Sequence, residues 1–199
     1  MSRTGSRRGK PGQVRIIGGR WRGRKLSFPA MEGLRPTGDR IRETLFNWLA
    51  PHIQGARCAD LFAGSGALGL EALSRGAAHC DFVDSAVAAL SGIRQHLRTL
   101  DAQDAGTCHT LTAQQFLQQT REPYDIVFVD PPFKLPLVEP VCELLAASGL
   151  LAEAAFVYIE TASTEPPPCV PLQWSLHREK VSSGVTYRLF STTDTNAAA

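Results

Sequence analysis

The sequence has few cysteines, and they fall into no recognisable pattern. Its 199 residues contain five cysteines, an odd number, and no two of them form a CxxC pair. This pattern indicates neither a zinc ribbon nor a disulfide framework. The five histidines also lack the spacing of metal ligands, so we expect no metal site. Unpaired thiols of this kind are typical of the reducing cytoplasm.

The sequence also lacks a long apolar run. No stretch approaches the length of a membrane span, and the first 25 residues are basic and polar, without the apolar region of a secretion signal. We therefore expect a soluble cytoplasmic protein with no membrane partner. The length suits one core with a small extension, and we expect a monomer.

Acidic residues are scarce near the N-terminus, where basic residues are plentiful. Residues 1–42 carry twelve lysines and arginines against two acidic residues, whereas residues 43–199 carry nine against seventeen. A solvated basic tail and an arm that binds a polyanion both fit this asymmetry. Nucleic acid is the polyanion that such an arm most often binds.

The N-terminal part of the chain divides into a tail and a basic extension. The tail has no apolar run, and we expect it to be disordered. Two short β-like pieces, residues 14–17 and 25–28, flank a turn rich in glycine and arginine and predict a basic hairpin, after which the apolar spacing predicts a helix. The predicted boundaries are 1–13 for the basic tail, 14–52 for the hairpin and helix, 53–191 for the main domain and 192–199 for a disordered C-terminal tail.

The main domain alternates between β-like and helix-like segments. Such alternation predicts right-handed crossovers around a mostly parallel sheet. Two β-like runs near the end are separated by Ser-Ser-Gly and predict an antiparallel hairpin at the sheet edge. The expected fold is therefore α/β and Rossmann-like, with a seven-stranded sheet and a C-terminal hairpin. The predicted strands are residues 59–62, 80–84, 107–111, 124–129, 155–160, 174–181 and 185–190.

A glycine-rich loop joins the first predicted strand of this domain to a helix. Gly64, Gly66 and Gly69 have the GxGxxG spacing, which allows a tight turn and lets a ligand approach the backbone. Asp84 ends the next strand, where a carboxylate can accept hydrogen bonds from ribose hydroxyls. This pattern predicts an adenosine-containing cofactor. Asp60, just before the glycines, suits the ammonium of a methionine moiety better than a pyrophosphate and favours S-adenosylmethionine over NAD.

The segment "FVDPPF" places Asp130 directly after a buried strand that we expect to lie beside the first one. Pro131 and Pro132 stiffen the loop and remove backbone donors, so its carbonyl groups can accept hydrogen bonds. The Asp130 carboxylate and the Pro131 carbonyl can hold an exocyclic amine for in-line methyl transfer, while Phe133 stacks on the base. A turn that merely ends the strand is the alternative.

The sequence resembles the RsmD-type ribosomal RNA methyltransferases, which place one methyl group on guanine N2 in small-subunit ribosomal RNA. The likeness runs from about residue 14 to residue 190. It is carried by "RIIGGRWRGRKL" (15–26), "LRPTGDRIRETLFNWL" (34–49), "DLFAGSGALGLEALSRGA" (60–77), "FVDPPF" (128–133) and "WSLHREK" (174–180).

The resemblance implies an S-adenosylmethionine-dependent enzyme that acts on small-subunit (16S) ribosomal RNA or an assembly intermediate. Its candidate catalytic residues are Asp130, Pro131, Pro132 and Phe133. Its candidate cofactor-binding residues are Asp60, Phe62, Ala63, Gly64, Ser65, Gly66, Asp84, Ser85 and Ala113, with Arg35 and Thr37 in a lid. Its candidate RNA-binding residues are Arg15, Arg20, Trp21, Arg22, Arg24, Lys25 and Arg40.

Two positions depart from the family pattern. The family commonly has Glu-x-Asp at the end of the second strand, whereas this chain has Asp84, Ser85 and Ala86, so a shorter acid must reach the ribose. After the third strand, where an acidic or amide side chain often meets the adenine, this chain has Thr112 and Ala113. Backbone groups are then expected to contact the adenine.

Other functions fit parts of the same pattern. DNA adenine-N6 and protein glutamine methyltransferases use similar loops, but the basic arm disfavours a protein substrate and no separate DNA-recognition domain is evident. A cytosine-C5 enzyme would need a nucleophilic cysteine in a Pro-Cys loop. Pro168-Cys169 matches this dipeptide but lies in a run of prolines after the fifth predicted strand. A noncatalytic RNA-binding module would be expected to have lost site residues that this chain keeps.

Overall fold

The computed structural model describes residues 12–28, 38–133 and 135–192. Most of both predicted tails, together with Arg35 and Thr37, lies outside these residues. The strands are β1 (Gly12–Arg15), β2 (Lys25–Phe28), β3 (Arg57–Asp60), β4 (His79–Asp84), β5 (Gly106–Thr110), β6 (Tyr124–Val129), β7 (Leu151–Ala162), β8 (Ser175–Ser182) and β9 (Val185–Ser191). The α-helices are α1 (Asp39–Trp48), α2 (Ala67–Ser74), α3 (Val87–Thr99), α4 (Ala113–Gln119) and α5 (Val138–Ala147).

Seven of these strands form one sheet in the order β5-β4-β3-β6-β7-β9-β8. The first five pair in parallel, and β9 pairs antiparallel with both β7 and β8. The predicted fold class is therefore confirmed. The strand order also brings β6 next to β3, so that the loops after these two strands lie at the same edge of the sheet.

The central strands are buried on both faces, as expected of a parallel sheet covered by helices. Along β6, Ile126 and Phe128 pack into a core beneath α1, α2 and α3, whereas Val127 and Val129 pack into a second core with α4 and α5. This alternation follows from the two-residue period of a strand. The same alternation determines which side chains after Val129 lie on the face of the sheet that is covered by the N-terminal extension.

One strand is longer than its sequence predicts. The spacing indicated residues 155–160, but β7 begins at Leu151, which pairs with Tyr124. The pairing register shifts between Tyr124 and Ile126, and Ala154 has a φ of 61°. The irregularity interrupts the alternation of side chains, which is why the early part of the strand has no clear pattern.

The predicted N-terminal hairpin is present. Strands β1 and β2 pair antiparallel, with Val14 opposite Leu26, and both of these side chains are buried. Gly19 lies in the turn between the strands with a φ of +74°, and a Cβ there would lie 1.8 Å from the Ser74 carbonyl oxygen. Only glycine allows this approach, which brings the hairpin against the end of α2.

Within the described parts of the chain, no helix has both the length and the apolar character needed to cross a membrane. All five cysteines are free thiols, and burial raises the pKa of Cys142 to about 12.

Candidate active site

The glycine-rich loop connects β3 to α2 through a tight turn. Gly64 and Gly66 have φ angles of 50° and 77°, and Gly66 caps the N-terminus of the helix. Both angles lie in the left-handed region that favours glycine. Gly69, one turn into α2, packs against Phe82 so closely that a Cβ would lie 2.3 Å from the ring. The three glycines therefore serve the turn and the packing of the helix on β4.

Asp84 at the end of β4 is held by the backbone around it. Its Oδ2 accepts a hydrogen bond from the Gly64 amide at 2.9 Å, and its Oδ1 accepts one from the Ala86 amide at 2.7 Å. The carboxylate thus braces the glycine-rich loop and remains half-buried. Each oxygen of the Asp84 carboxylate has a second lone pair that can accept a hydrogen bond from a hydroxyl group.

Asp60 lies beneath the same loop and is almost wholly buried, with 2% of its surface exposed. It accepts a hydrogen bond from the Gly69 amide at 3.1 Å. Burial raises its pKa to about 7, the Gly69 amide opposes the rise, and the negative charges of Asp130 and Asp84 add to it. A cation bound here would relieve this repulsion.

The Asp-Pro-Pro loop begins where β6 ends. Pairing of Asp60 with Phe128 places Asp130 at the carboxyl edge of the strand beside Asp60. Pro131 is buried, Pro132 is exposed, and Phe133 exposes 41% of its surface. The Leu135 amide donates to the Pro132 carbonyl at 3.0 Å, so the loop turns back on itself. An exposed ring next to a carboxylate can stack on a planar base.

Glu160, a residue that the sequence patterns did not single out, lies beside Asp130. Val129 pairs with Ile159, so the next residues of β6 and β7 are neighbours. Only 4% of Glu160 is exposed, and its Oε2 accepts a hydrogen bond from the Tyr158 hydroxyl at 2.7 Å. Burial, followed by the charge of Asp130, raises its pKa to about 8. The sequence does place Tyr158 and Glu160 on one face of a strand near its end. That pattern points to the site only once it is known that this strand lies beside β6.

The edge therefore gathers four carboxyl groups, those of Asp60, Asp84, Asp130 and Glu160. Two of them have raised pKa values because they are buried near negative charge. This donor set fits a ligand that carries positive charge and ribose hydroxyls, as S-adenosylmethionine does, and fits a pyrophosphate poorly.

The other predicted cofactor residues are distributed around this edge. Ala63 donates its amide to the Val83 carbonyl at 2.9 Å, and Ser65 is buried within the turn. Phe62 is half-buried and Ser85 is exposed. Ala113 is buried at the start of α4, behind a capping box formed by Thr112 and Gln115, so only the backbone here is suited to contact an adenine.

Several predicted RNA-binding residues have partners within the protein. The guanidinium of Arg20 lies 4.0 Å from the centre of the Trp21 ring, and Trp21 is partly buried against the core. Arg15 forms an ion pair with Asp39 at 3.3 Å. Trp21 therefore covers the core beneath the hairpin and carries Arg20 on its outer face.

The remaining predicted RNA-binding residues are exposed. Arg24 donates to the Thr99 carbonyl at 3.4 Å, which ties the hairpin to the end of α3. Arg22, Lys25 and Arg40 lie at the surface. The hairpin thus presents a basic surface and is anchored to the main domain.

Glu71 connects α2 to the N-terminal hairpin. It is fully buried in α2 and accepts hydrogen bonds from the Ile17 and Gly18 amides, both at 2.8 Å. Arg75 donates to it at 2.7 Å and the buried Arg42 at 3.3 Å. The two backbone donors belong to the hairpin and lie more than 50 residues away in sequence, so the sequence alone does not reveal this contact.

Comparisons with known proteins find similar sequences and structures that span most of the chain. The sequence profile of the family described as Conserved hypothetical protein 95 matches residues 14–191. Ribosomal RNA small subunit methyltransferase D of Escherichia coli strain K12 is 53% identical over 179 residues, covering 90% of each chain. The protein of the same name from Haemophilus influenzae is 43% identical over 182 residues, covering 90% of this chain and 94% of that protein.

A solved structure, described as putative methyltransferase yhhF from Escherichia coli, has the same architecture. It superposes with a TM-score of 0.85 at 49% identity, covering 92% of this chain and 99% of the other. The profile and the relatives both span nearly the whole of the described fold. The chain therefore belongs to the Conserved hypothetical protein 95 family, the RsmD-type family that its motifs indicate.

Proposed function

We propose that this protein is an S-adenosylmethionine-dependent ribosomal RNA methyltransferase that places one methyl group on guanine N2 of small-subunit RNA. One observation carries the proposal: the Asp130 loop and the glycine-rich loop begin on adjacent strands and meet at one sheet edge. The names of the similar proteins from Escherichia coli and Haemophilus influenzae support the reaction and the RNA substrate.

Asp60 and Asp84 define where the cofactor binds. Asp84 is fixed by two backbone amides and can accept hydrogen bonds from the ribose, while the buried Asp60 stabilises positive charge nearby. When bound, S-adenosylmethionine supplies an electrophilic methyl group on a positively charged sulfur. The loop between the two carboxylates holds it at the same edge as Asp130.

Asp130 and the Pro131 carbonyl hold the amine that receives the methyl group. The lone pair of an exocyclic amine is delocalised into the base, so the amine reacts poorly until its geometry is fixed. Two acceptors that hold its two N–H groups direct the lone pair toward the methyl carbon. The Asp130 carboxylate also stabilises the positive charge that develops on nitrogen as the N–C bond forms and the S–C bond breaks. The electron pair of the broken bond stays on sulfur, which leaves as S-adenosylhomocysteine, and the methylated nitrogen then releases one proton to solvent.

The hairpin and Phe133 position the RNA. Exposed basic side chains on the hairpin contact phosphates, which supply affinity without reading sequence. Phe133 stacks on a base that leaves its helix, and this contact offsets part of the few kcal/mol that unstacking costs.

The test is transfer of a labelled methyl group to small ribosomal subunits purified from cells that lack the enzyme. Mass spectrometry of the digested RNA is expected to identify N2-methylguanosine at one position. Label in N6-methyladenosine, or no label in subunits and free RNA alike, would overturn the proposal. Subunits from cells that have the enzyme are the matched control, because their site is already methylated.

A further inference from the structure

Glu160 is a buried carboxyl group that has no role in the mechanism proposed above. It belongs to the same sheet edge as Asp130, one strand farther from the glycine-rich loop. Buried acids without a cationic partner are uncommon in proteins, because desolvation disfavours the charged form. Among the residues described, the Glu160 side chain has one hydrogen-bond partner, the Tyr158 hydroxyl.

Glu160 and Asp130 lie on the same face of the sheet. Side chains alternate along a strand, so Glu160 projects on the same face as Tyr158. The Tyr158 ring packs edge-on against Phe128, with centroids 6.3 Å apart, and Asp130 follows Phe128 by two residues. Because the three groups are close, the charge of Asp130 raises the pKa of both Glu160 and Tyr158.

The contact with Tyr158 leaves one oxygen of Glu160 available. Tyr158 is fully buried and donates to Oε2, which fixes the orientation of the carboxyl group. Oε1 accepts no hydrogen bond from any residue in the described part of the chain. A carboxyl group offers an acceptor at Oε1 whether it is ionised or protonated on the other oxygen.

Guanine presents two adjacent donors on its base-pairing edge, N1–H and the N2 amine. Adenine and 2-aminopurine have an acceptor at N1, without a hydrogen. Two neighbouring carboxyl groups present two neighbouring acceptors, which match the guanine edge and repel an unprotonated N1. A pocket that hydrogen-bonds a donor rejects an analogue lacking it, since its own polar atom is left unpaired.

We propose that Glu160 determines the specificity for guanine: its Oε1 accepts the N1–H of the target base while Asp130 holds the N2 amine. Tyr158 is the positioning residue that keeps Oε1 directed at the base. This inference rests on the proposed function, because it concerns the base that the same site receives.

The test compares guanosine with 2-aminopurine at the methylated position, once that position is mapped with the wild-type enzyme. Subunits are rebuilt with ligated ribosomal RNA that carries either base, and initial rates are measured. Wild type is expected to prefer guanosine by at least about a hundredfold. Glu160→Gln keeps the shape but can place an N–H donor where Oε1 was, and it is expected to lower this preference at least about tenfold.

Two readouts keep the result interpretable. Calorimetric affinity for S-adenosylhomocysteine and the thermal midpoint report whether Glu160→Gln is folded. Tyr158→Phe removes only the positioning hydroxyl and is expected to lower the preference by a smaller factor with the cofactor affinity retained. A preference that neither variant changes would overturn the inference, as would equal losses with both bases. Failure of the proposed function would be separate, because wild type would then form no N2-methylguanosine in natural subunits.

Discussion

At the scale of single residues, ionisation of Asp60 is expected to make cofactor binding depend on pH. Its pKa is raised to about 7 in the protein without ligand, because it is buried and lies near other carboxylates. A bound cation favours the ionised form, so binding below pH 7 must release a proton. We expect the affinity for S-adenosylmethionine to increase by up to about tenfold per pH unit below pH 7 and to level off above it.

Calorimetry in buffers of different ionisation enthalpy measures this proton release. Asp60→Asn carries no titratable group and is expected to bind more weakly, with little dependence on pH. Glu160→Gln separates the contribution of the second raised carboxyl, whose pKa is about 8. Equal pH dependence in wild type and Asp60→Asn would assign the proton to another group.

Asp130 is expected to act on the reaction more than on cofactor binding. Asp130→Asn keeps the size of the side chain and removes the negative charge that stabilises the developing positive charge on nitrogen. Turnover with ribosomal subunits is expected to fall by about a hundredfold or more, while the affinity for S-adenosylhomocysteine changes little. Single-turnover rates and calorimetry measure the two effects.

A matched control for this change is Glu122→Gln, which removes an exposed carboxylate at the opposite end of β6. It is expected to change neither turnover nor binding. Parallel losses of cofactor affinity and turnover in Asp130→Asn would show that Asp130 belongs to the cofactor site instead.

At the scale of elements, α2 joins the hairpin to the main domain through Glu71. Glu71→Gln replaces an acceptor by an N–H group that faces backbone N–H donors, and leaves Arg42 and Arg75 with a neutral partner. We expect the free energy of unfolding to decrease by about 3 kcal/mol. Urea unfolding measures the loss, and faster tryptic cleavage after Arg20, Arg22 or Arg24 reports release of the hairpin.

The exposed Glu122→Gln variant again provides the comparison, with an expected change within about 0.5 kcal/mol. If Glu71→Gln were as stable as Glu122→Gln, the hairpin would be held by its apolar contacts alone. Those contacts are substantial, because Val14, Ile16 and Leu26 are all buried. Deleting the hairpin would therefore expose the core and is a poor test of RNA binding.

At the scale of the whole molecule, the basic hairpin is expected to determine the salt dependence of RNA binding. Arg22 and Lys25 are exposed, and their side chains form no hydrogen bond or ion pair with the residues that the structure describes. Replacing both by glutamine is expected to reduce the slope of log affinity against log salt by about 1 to 2, because each phosphate contact contributes roughly 0.7 to 0.9. Fluorescence anisotropy with a labelled ribosomal RNA fragment measures this slope.

The matched control is the double glutamine variant of Arg178 and Lys180, which are exposed on β8 at the far edge of the sheet. It removes the same charge from a different surface. Equal reductions in both double variants would indicate that net charge matters and that the hairpin has no special place in RNA binding.

The sequence predicted the elements and the sheet because both depend on local patterns. Alternation of strands and helices, the glycine spacing and the Ser-Ser-Gly turn each act over a few residues. The environments of Glu71, Asp81 and Glu160 could not be predicted from the sequence, because each depends in part on residues that are distant along the chain. Asp81 accepts hydrogen bonds from Tyr124 at 2.9 Å, Arg57 at 2.8 Å and His109 at 2.8 Å, each from a different strand.

Helix α2 has the glycine-rich loop at one end and the hairpin at the other. Ser74, its last residue, donates to the Gly18 carbonyl at 2.6 Å and accepts from the Trp21 amide at 3.0 Å. An eight-residue helix is about 12 Å long, and it does not stretch. If the proposed function is correct, the length of α2 sets the distance between an RNA phosphate bound at the hairpin and the cofactor methyl group at the glycine-rich loop. The enzyme would then select its target nucleotide by this distance as well as by the chemistry of the base.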